Sequence, residues 1–326
     1  MSIREGVTFD DVLLVPKFSD ISSRTQTDLS TKLSKNITLN IPLISANMDT
    51  VTESTMAVTM ARQGGIGIIH RFLTIQEQAN QVLKVKRSGS VMIENPYQIS
   101  QDETISTALD IMTEKEVSGL LVVDSESKLV GILTERDVVF ESLDSTKLVN
   151  ELMTKDIITS KPGINVDEAK DILKNNRIEK LPLVDDDQKI HGLYTTQDIL
   201  YTEIYPIASH DSKGRPLVGA AVGVKGDFLE RTEALLEAGT DAIVVDIAHG
   251  HSENAISTVK NIKKAFPNCE LIAGNVATAQ GTEDLIKAGV DAVKVGVGSG
   301  SICITRVITG SGVPQLTAVL DCAEIG

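Results

Sequence analysis

An internal repeat constrains the fold of this chain more than any other feature of its sequence. Residues 119–137 align without gaps onto residues 180–198, at an offset of 61 residues. Each copy contains two short apolar runs that are separated by an acidic turn and followed by Thr-x-x-Asp. An amphipathic helix is predicted upstream of each copy, over Thr104–Lys115 for the first and Val166–Asn175 for the second. The identities are Val123, Asp124, Lys128, Gly131, Thr134 and Asp137, which recur as Val184, Asp185, Lys189, Gly192, Thr195 and Asp198. This self-similarity predicts two copies of one supersecondary unit.

The repeat resembles the tandem CBS motif. It spans roughly residues 94–204, with one copy over about 94–145 and the other over about 150–204. The resemblance implies that adenine nucleotides bind here, with the hydroxyls of Thr134 and Thr195 toward phosphate and the carboxylates of Asp137 and Asp198 toward ribose. An alternative needs no ligand, because Thr followed three residues later by Asp is also a helix-capping arrangement.

The segments on either side of the repeat, residues 1–93 and 205–326, predict a different architecture. Short, almost wholly apolar runs alternate with amphipathic helices, which is typical of parallel strands covered by helices. Gly239 and Gly289 are expected to end two of the helices. The predicted strands are Ile41–Met48, Gly65–His70, Leu217–Val222, Ala242–Asp246, Leu271–Asn275 and Ala292–Gly296, and helices are expected over Phe228–Ala238, Asn254–Ala265 and Thr278–Ala288.

We interpret these segments as an α/β domain, a (β/α)8 TIM barrel interrupted by the repeat. Six strand–helix units are present where a barrel has eight, so we expect the barrel to be truncated before strands seven and eight and the chain itself to be inactive. A doubly wound open sheet is the alternative, but the first strand is not followed by the G-x-G-x-x-G sequence of dinucleotide-binding folds. Asn47, Asp246 and Asn275 end predicted strands, where a barrel places its active site.

Composition excludes several classes of partner. The formal net charge of −14 argues against a nucleic acid or an anionic membrane surface. The N-terminus lacks the apolar core of a signal peptide, and no apolar run approaches the length of a membrane span. Three scattered cysteines suit neither a disulfide framework nor a zinc site, and His249 with His251 is too weak a pattern for a metal. The expected location is the cytoplasm.

The stretch from Gly296 to Arg306 is the most informative for chemistry. Gly296, Gly298 and Gly300 alternate directly after a predicted strand, so the backbone can turn tightly and present its N–H and C=O groups to a ligand. Cys303 follows on the same loop, where a thiol can be exposed and tuned toward the thiolate. The alternative is a buried structural cysteine beside a glycine-rich turn.

The residues of this loop are similar to the cysteine loop of the IMP dehydrogenase and GMP reductase family. Further strings that resemble the family occur along the whole chain, in the family's order. They are Thr8–Pro16, Ala46–Glu53, Gly64–His70, His249–Ser252, Ala273–Thr278 and Gly296–Thr305.

The resemblance implies an NAD-dependent oxidoreductase of purine nucleotides. Cys303 would attack C2 of IMP, hydride would pass to NAD, and hydrolysis of the thioimidate beside Thr305 would give XMP. The implied substrate contacts are Ser301 at the phosphate, with Ala46 and Met48 lining the nucleotide site. The implied contacts with NAD are Asp246, Asn275, Gly296, Val297 and Gly298, and the carbonyls of Gly298, Gly300 and Cys303 would hold a potassium ion. The family also implies a homotetramer.

Several alternatives stay open. Asp246 and Asn275 could simply cap the helices that follow them, and Lys294 is interpreted as a barrel lysine that extends to solvent. An NADPH-dependent GMP reductase, which converts GMP to IMP, is the second candidate activity, because Ile247 stands where many dehydrogenases carry a hydroxyl residue. The CBS insertion favours the dehydrogenase, since most reductases lack it. A third candidate is a catalytically silent sensor of adenine nucleotides.

Overall fold

The computed structural model describes residues 4–89, 92–142 and 144–326. Residues 1–3, 90, 91 and 143, which fall within the predicted first barrel segment and the first predicted repeat, lie outside the described residues. The chain divides into two compact units. The larger comprises the described residues up to Ser88 together with Ile207–Gly326, and the smaller is Gly89–Pro206. No helix in the described ranges is long and apolar enough to cross a bilayer.

The elements alternate regularly between strand and helix in the larger unit and repeat in the smaller one. The described strands are β1 (Thr31–Lys32), β2 (Thr38–Leu39), β3 (Ile44–Ser45), β4 (Ile66–Ile69), β5 (Gln98–Ser100), β6 (Gly119–Val123), β7 (Leu129–Thr134), β8 (Lys180–Val184), β9 (Ile190–Thr195), β10 (Val218–Val222), β11 (Ala242–Asp246), β12 (Leu271–Val276) and β13 (Ala292–Val295). The described α-helices are α1 (Ser54–Arg62), α2 (Ile75–Arg87), α3 (Ile105–Lys115), α4 (Glu135–Val138), α5 (Val149–Leu152), α6 (Val166–Asn176), α7 (Thr196–Ile204), α8 (Phe228–Glu237), α9 (Glu253–Ala265), α10 (Ala279–Ala288), α11 (Thr305–Thr309) and α12 (Gln315–Ala323). Short 3-10 helices cover Phe9–Asp11 and Arg24–Gln26.

A curled parallel sheet forms the centre of the larger unit. Its strand order is β13-β12-β11-β10-β4-β3, and every neighbouring pair is parallel. The order follows the chain without a reversal, so the alternative of a doubly wound sheet is wrong. The six predicted strands are all present, although the first shrinks from Ile41–Met48 to Ile44–Ser45. The α/β class and a barrel-like sheet are confirmed.

Both faces of this sheet are buried, which explains why its strands are almost wholly apolar. In β11, Ile243 and Val245 face the helices and join the outer core, while Ala242 and Val244 join the inner core. Successive strand residues point to opposite faces, so the same alternation places Asp246 on the inner side. The inner core also includes Leu39 of the β1–β2 hairpin.

Two helices of the larger unit, α8 and α10, end at the glycines that the sequence predicts. Gly239 and Gly289 have φ of +94° and +107°, values that only glycine adopts without strain. The three helices predicted after the repeat are found within one residue of their expected bounds.

The smaller unit contains two copies of one arrangement. In the first, β6 and β7 pair antiparallel and α4 follows; in the second, β8 and β9 pair in the same way and α7 follows. The amphipathic helices expected upstream are α3 and α6. The Lys180 ammonium donates to Ser118 Oγ at 3.1 Å, so a side chain of the second copy bonds directly to the first.

A buried lysine fixes the beginning of β10. The Lys86 side chain is 3% exposed, and its ammonium donates to Asp241 Oδ2 at 2.6 Å, Asp211 Oδ2 at 3.0 Å and the Pro216 carbonyl at 3.0 Å. Asp241 in turn accepts from the Val218 N–H at 2.7 Å. Burial raises the pKa of the Asp241 carboxyl, and the lysine compensates for its buried charge.

Replacing Lys86→Ala should therefore lower the free energy of unfolding of the larger unit by about 3–5 kcal/mol, because the poorly solvated Asp241 carboxylate loses its cation while Asp211 keeps Arg215. Urea unfolding followed by circular dichroism measures the effect. The matched control is Lys84→Ala, an exposed lysine on the same helix, which should change the free energy by no more than about 0.5 kcal/mol. Equal effects of the two substitutions would contradict the proposed role of Lys86.

Candidate functional site

The candidate site lies at the carboxyl edge of the parallel sheet, where neighbouring strands end side by side. Asp246 ends β11, Asn275 lies near the end of β12, and Lys294 lies near the end of β13. Because these strands are consecutive neighbours, their side chains can meet. They form a polar cluster at the edge of a largely apolar sheet.

Asp246 and Asn275 are not helix caps. The N-cap of α9 is Ser252, whose hydroxyl accepts from the Ala255 N–H, and the N-cap of α10 is Thr278, whose hydroxyl accepts from the Gly281 N–H. The capping alternative is therefore wrong for both residues. Their side chains are available to the site.

The Lys294 side chain contacts both Asp246 and Asn275. Its ammonium donates to Asn275 Oδ1 at 2.9 Å and lies 3.4 Å from Asp246 Oδ1. The interpretation of Lys294 as a lysine that merely extends to solvent is therefore wrong: the side chain turns toward its neighbours and links three adjacent strands. The sequence alone gives no sign of this role, because a lone lysine in a strand carries no indication of its partners.

A bulge directs Asn275 toward this lysine. The pairing of β12 with β13 shifts register between Gly274 and Val276, and Val276 packs in the outer core just as Ala273 does. An extra residue in one strand re-aims the side chain at that position, which brings Asn275 to the inner side. Gly274 has no room for a Cβ, which would lie 2.4 Å from the Lys294 carbonyl oxygen.

The cysteine loop leaves β13 and is held by the segment before α12. The Val313 N–H donates to the Val297 carbonyl at 3.1 Å. Gly298 is buried with φ of +76°, and a Cβ there would lie 2.8 Å from the Ser311 carbonyl oxygen. The Cys303 N–H closes a turn on the Gly300 carbonyl at 3.1 Å. The loop is therefore compact and requires glycine where it approaches the neighbouring backbone.

Cys303 is half-buried on this loop, and its surroundings favour the thiolate. Hydrogen bonds from the Thr305 hydroxyl and from the backbone N–H groups of Thr305 and Gly298 lower the pKa of the Cys303 thiol, with the charge of Arg306 adding a smaller effect. By contrast, burial raises the pKa of Cys269 to about 11. Cys303 is thus the cysteine suited to act as a nucleophile.

The predicted substrate-binding residues also follow the carboxyl ends of strands, but they are not part of the cluster of Asp246, Asn275 and Lys294. Ser301 is exposed on the cysteine loop. Ala46 and Met48 follow β3, at the opposite edge of the strand order from β13, and both are exposed. The Thr52 hydroxyl donates to the Ala46 carbonyl at 2.5 Å and fixes this turn.

One of the two neighbouring histidines, His251, has a structural contact. His251 Nε2 lies 2.9 Å from Asp284 Oδ2, which ties the turn after β11 to α10. No cluster of three or more metal-ligating side chains occurs in the residues that the structure describes.

In the smaller unit, the two Thr-x-x-Asp sequences form the predicted caps. Thr134 Oγ1 donates to Asp137 Oδ2 at 2.7 Å, and Asp137 Oδ2 also accepts from the Thr134 N–H at 2.8 Å. Thr195 Oγ1 donates to Asp198 Oδ2 at 2.5 Å and accepts from the Asp198 N–H at 3.1 Å. Capping is confirmed, and nucleotide binding stays a prediction.

Fold and site together define a class of protein: a barrel-type α/β protein with a half-buried thiol on a glycine-rich loop at the carboxyl edge of the sheet. The family profile described as IMP dehydrogenase / GMP reductase domain matches residues 6–326. The chain therefore belongs to the IMP dehydrogenase / GMP reductase family.

Close curated relatives are inosine-5'-monophosphate dehydrogenases. The protein from Nitrosopumilus maritimus is 76% identical over 326 residues, which are 100% of this chain and 68% of the relative. Those from Aquifex aeolicus and Bacillus subtilis are 55% and 51% identical over 99% and 98% of this chain, each covered over 66% of its own length. The chain thus spans about two thirds of these relatives. They confirm the prediction of an oxidoreductase of the dehydrogenase type.

Similar solved structures are GMP reductases from Trypanosoma brucei. A cysteine-to-alanine variant in complex with guanosine 5'-monophosphate is 44% identical, with a TM-score of 0.92 over 99% of this chain and 69% of its own. A second, in complex with guanosine 5'-triphosphate, has the same identity and TM-score and is covered over 78%. These reductases match nearly the whole chain, including the inserted unit, so the insertion alone does not separate the two activities.

The contacts of Cys303 predict that substitution of Thr305 changes the pH dependence of alkylation of the thiol. Because hydrogen bonds from Thr305 lower the thiol pKa, Thr305→Val should raise it and move the pH midpoint of alkylation by iodoacetamide upward. At pH 7 the rate should fall roughly threefold, since the loss of thiolate is partly offset by the greater nucleophilicity of a more basic thiolate.

Mass spectrometry of the peptide that contains Cys303 measures this rate across pH. The control is Thr309→Val on the same short helix, whose hydroxyl bonds the Thr305 carbonyl and not the thiol. An unchanged midpoint in Thr305→Val would show that these hydrogen bonds do not tune the thiol.

Proposed function

We propose that this protein oxidises IMP to XMP with NAD through a covalent bond to Cys303. The observation that carries the proposal is the position of the half-buried Cys303 thiol on a glycine-rich loop after β13, where the Cys303 N–H closes a turn on the Gly300 carbonyl. The relatives named IMP dehydrogenase support the choice of substrate.

The chemistry balances in two steps. In the first, the Cys303 thiolate attacks C2 of the purine, a carbon–sulfur bond forms, and the hydrogen on C2 leaves as hydride to reduce NAD. In the second, water adds to C2, the carbon–sulfur bond breaks, and XMP, a proton and the free thiolate result. Splitting the oxidation in this way is the usual advantage of covalent catalysis. Thr305 would lie beside the attacking water.

The remaining residues would bind the two substrates. Ser301 would hydrogen-bond the nucleotide phosphate, and Ala46 and Met48 would line the nucleotide site. Asp246 and Asn275 would face the nicotinamide half of NAD, and their chemistry fits it, because a carboxylate and an amide held at the sheet edge offer acceptors to ribose hydroxyls. The backbone of Gly296, Val297 and Gly298 would complete the NAD contacts.

A potassium ion would bind the carbonyl oxygens of Gly298, Gly300 and Cys303. Hard oxygen ligands suit such a cation. The Gly300 carbonyl accepts one hydrogen bond from the Cys303 N–H, and a carbonyl oxygen has a second lone pair that can face a ligand. The ion would hold the loop in shape.

GMP reduction is the second candidate. The solved reductases that resemble this chain favour it, and one of them is a cysteine-to-alanine variant in complex with guanosine 5'-monophosphate. In that reaction NADPH would reduce GMP to IMP with release of ammonia. Assays of both reactions on one preparation separate the candidates, and the higher identity of the dehydrogenases favours IMP oxidation.

We further propose that the smaller unit is a CBS pair that binds adenine nucleotides, over about 94–145 and 150–204. Support comes from its two copies and from the equivalent positions of Thr134, Asp137, Thr195 and Asp198 after paired strands. On binding, the carboxylates would turn from the caps to ribose hydroxyls.

Assembly as a homotetramer in the cytoplasm completes the proposal. Leu13, Leu14 and Phe18 are 94%, 97% and 96% exposed in the N-terminal segment. Contiguous apolar side chains of this kind mark interaction surfaces, and further copies of the chain would cover them. A reducing compartment would keep the Cys303 thiol free.

Removing the nucleophile should abolish turnover. In a chain extended to the length of its dehydrogenase relatives, Cys303→Ala should lower the rate of NADH formation from IMP by more than about 1000-fold. IMP binding should be largely retained, because the thiol acts in bond formation. Absorbance at the NADH band and calorimetric titration with IMP measure the two quantities. The control Cys322→Ala, at a buried cysteine of α12, should keep its activity; a Cys303→Ala rate within about tenfold of the parent would exclude covalent catalysis at this residue.

Binding at the smaller unit should appear as a thermal shift. Millimolar ATP should raise the unfolding midpoint of the parent chain, by mass action, and should leave that of the Asp137→Ala, Asp198→Ala double variant unchanged. Differential scanning fluorimetry measures the shift. Asn165→Ala, which removes the N-cap of α6, controls for lost capping and should keep the response. No shift of the parent with ATP, ADP or AMP would show that the unit is structural.

A further inference from the structure

The first residue of α12, Gln315, has a side chain that the proposed chemistry does not use. Its amide nitrogen donates to the Val295 carbonyl at 3.1 Å, and its amide oxygen accepts from Ser299 Oγ at 2.5 Å. Val295 is the last residue of β13, and Ser299 lies in the middle of the cysteine loop. One side chain therefore spans the beginning of the loop.

The backbone is shaped to admit this amide. Gly296 has φ of +137°, and a Cβ built on it would lie 2.7 Å from Gln315 Oε1. Any other residue at position 296 would displace the amide. Just before α12, the Val313 N–H bonds the Val297 carbonyl, so the segment 311–315 holds the loop at adjacent points.

The chemistry of the two contacts selects glutamine. The Val295 carbonyl needs a donor, and the Ser299 hydroxyl, which donates, needs an acceptor. A glutamine amide supplies both from one planar group. Glutamate has the same length but no N–H donor, and leucine has a similar size but neither function.

We propose that Gln315 is a positioning residue: its amide ties the cysteine loop to the end of β13 and so places Cys303 for bond formation. Only the effect of Gln315 on catalysis rests on the proposed function; the tie between Gln315 and the loop does not. A displacement of about 1 Å at a reacting group can lower the rate about 100-fold. A cysteine loop that has lost the Gln315 contacts should therefore slow the chemical step far more than it weakens binding of the nucleotide.

The test compares Gln315→Leu, Gly296→Ala and Ser299→Ala with Gln315→Glu, which keeps the acceptor for Ser299 and loses the donor for Val295. In the chain extended to the length of its dehydrogenase relatives, we expect kcat for IMP oxidation to fall roughly 10- to 100-fold in Gln315→Leu and Gly296→Ala, with KM for IMP within about twofold. The fall should be smaller in Ser299→Ala and Gln315→Glu. Gln76→Leu, an exposed glutamine of α2, should match the parent. Unchanged kcat in Gln315→Leu overturns the proposal, as does a fall in kcat that only follows the folded fraction.

A second measurement is independent of turnover. Hydrogen exchange of the peptide over 296–303 should be faster in Gln315→Leu and Gly296→Ala than in the parent, and unchanged in Gln76→Leu. Equal exchange in the parent and the two loop variants overturns the proposal even if activity differs. If the proposed function is wrong, the extended chain would have no turnover, or its Cys303→Ala variant would keep turnover. The exchange comparison would still decide whether Gln315 holds the loop.

Discussion

Burial of both faces of one parallel sheet is the constraint on which the rest of the larger unit depends. Helices cover the outer face and a second apolar cluster fills the inner one, so the strands can hold few polar groups along their length. The strands run in one direction, and their ends meet at one edge. Asp246, Asn275 and Lys294 collect there because that edge is where charge can reach solvent or a ligand.

The regular part of this fold could be predicted from the sequence because local chemistry determines it. Apolar runs define β10 to β13, and Gly239 and Gly289 mark helix ends through their positive φ. Cys303 could be recognised because the whole string from Gly296 to Thr305 resembles the cysteine loop of the family, whereas the composition of the loop alone left a structural cysteine as an alternative. The caps at Thr134 and Thr195 follow from a local rule.

What could not be predicted depends on contacts between residues far apart in the chain. The Lys294 ammonium meets Asp246 across 48 residues and Asn275 across 19, and only the strand order brings them together. The bulge at Asn275 likewise has no marker in its own residues. The role of Gln315 has no marker in the residues around it, because its partners Val295 and Ser299 lie at the end of β13 and in the cysteine loop.

A covalent bond between Cys303 and the purine is the central claim, and mass spectrometry tests it most directly. The chain extended to the length of its dehydrogenase relatives is mixed with IMP and NAD, quenched in acid during turnover and digested. The mass of the peptide that contains Cys303 is then measured. We predict a purine nucleotide adduct on Cys303 that forms only when IMP and NAD are both present and never in Cys303→Ala. Steady formation of NADH with an unmodified Cys303, together with turnover by Cys303→Ala, would contradict it.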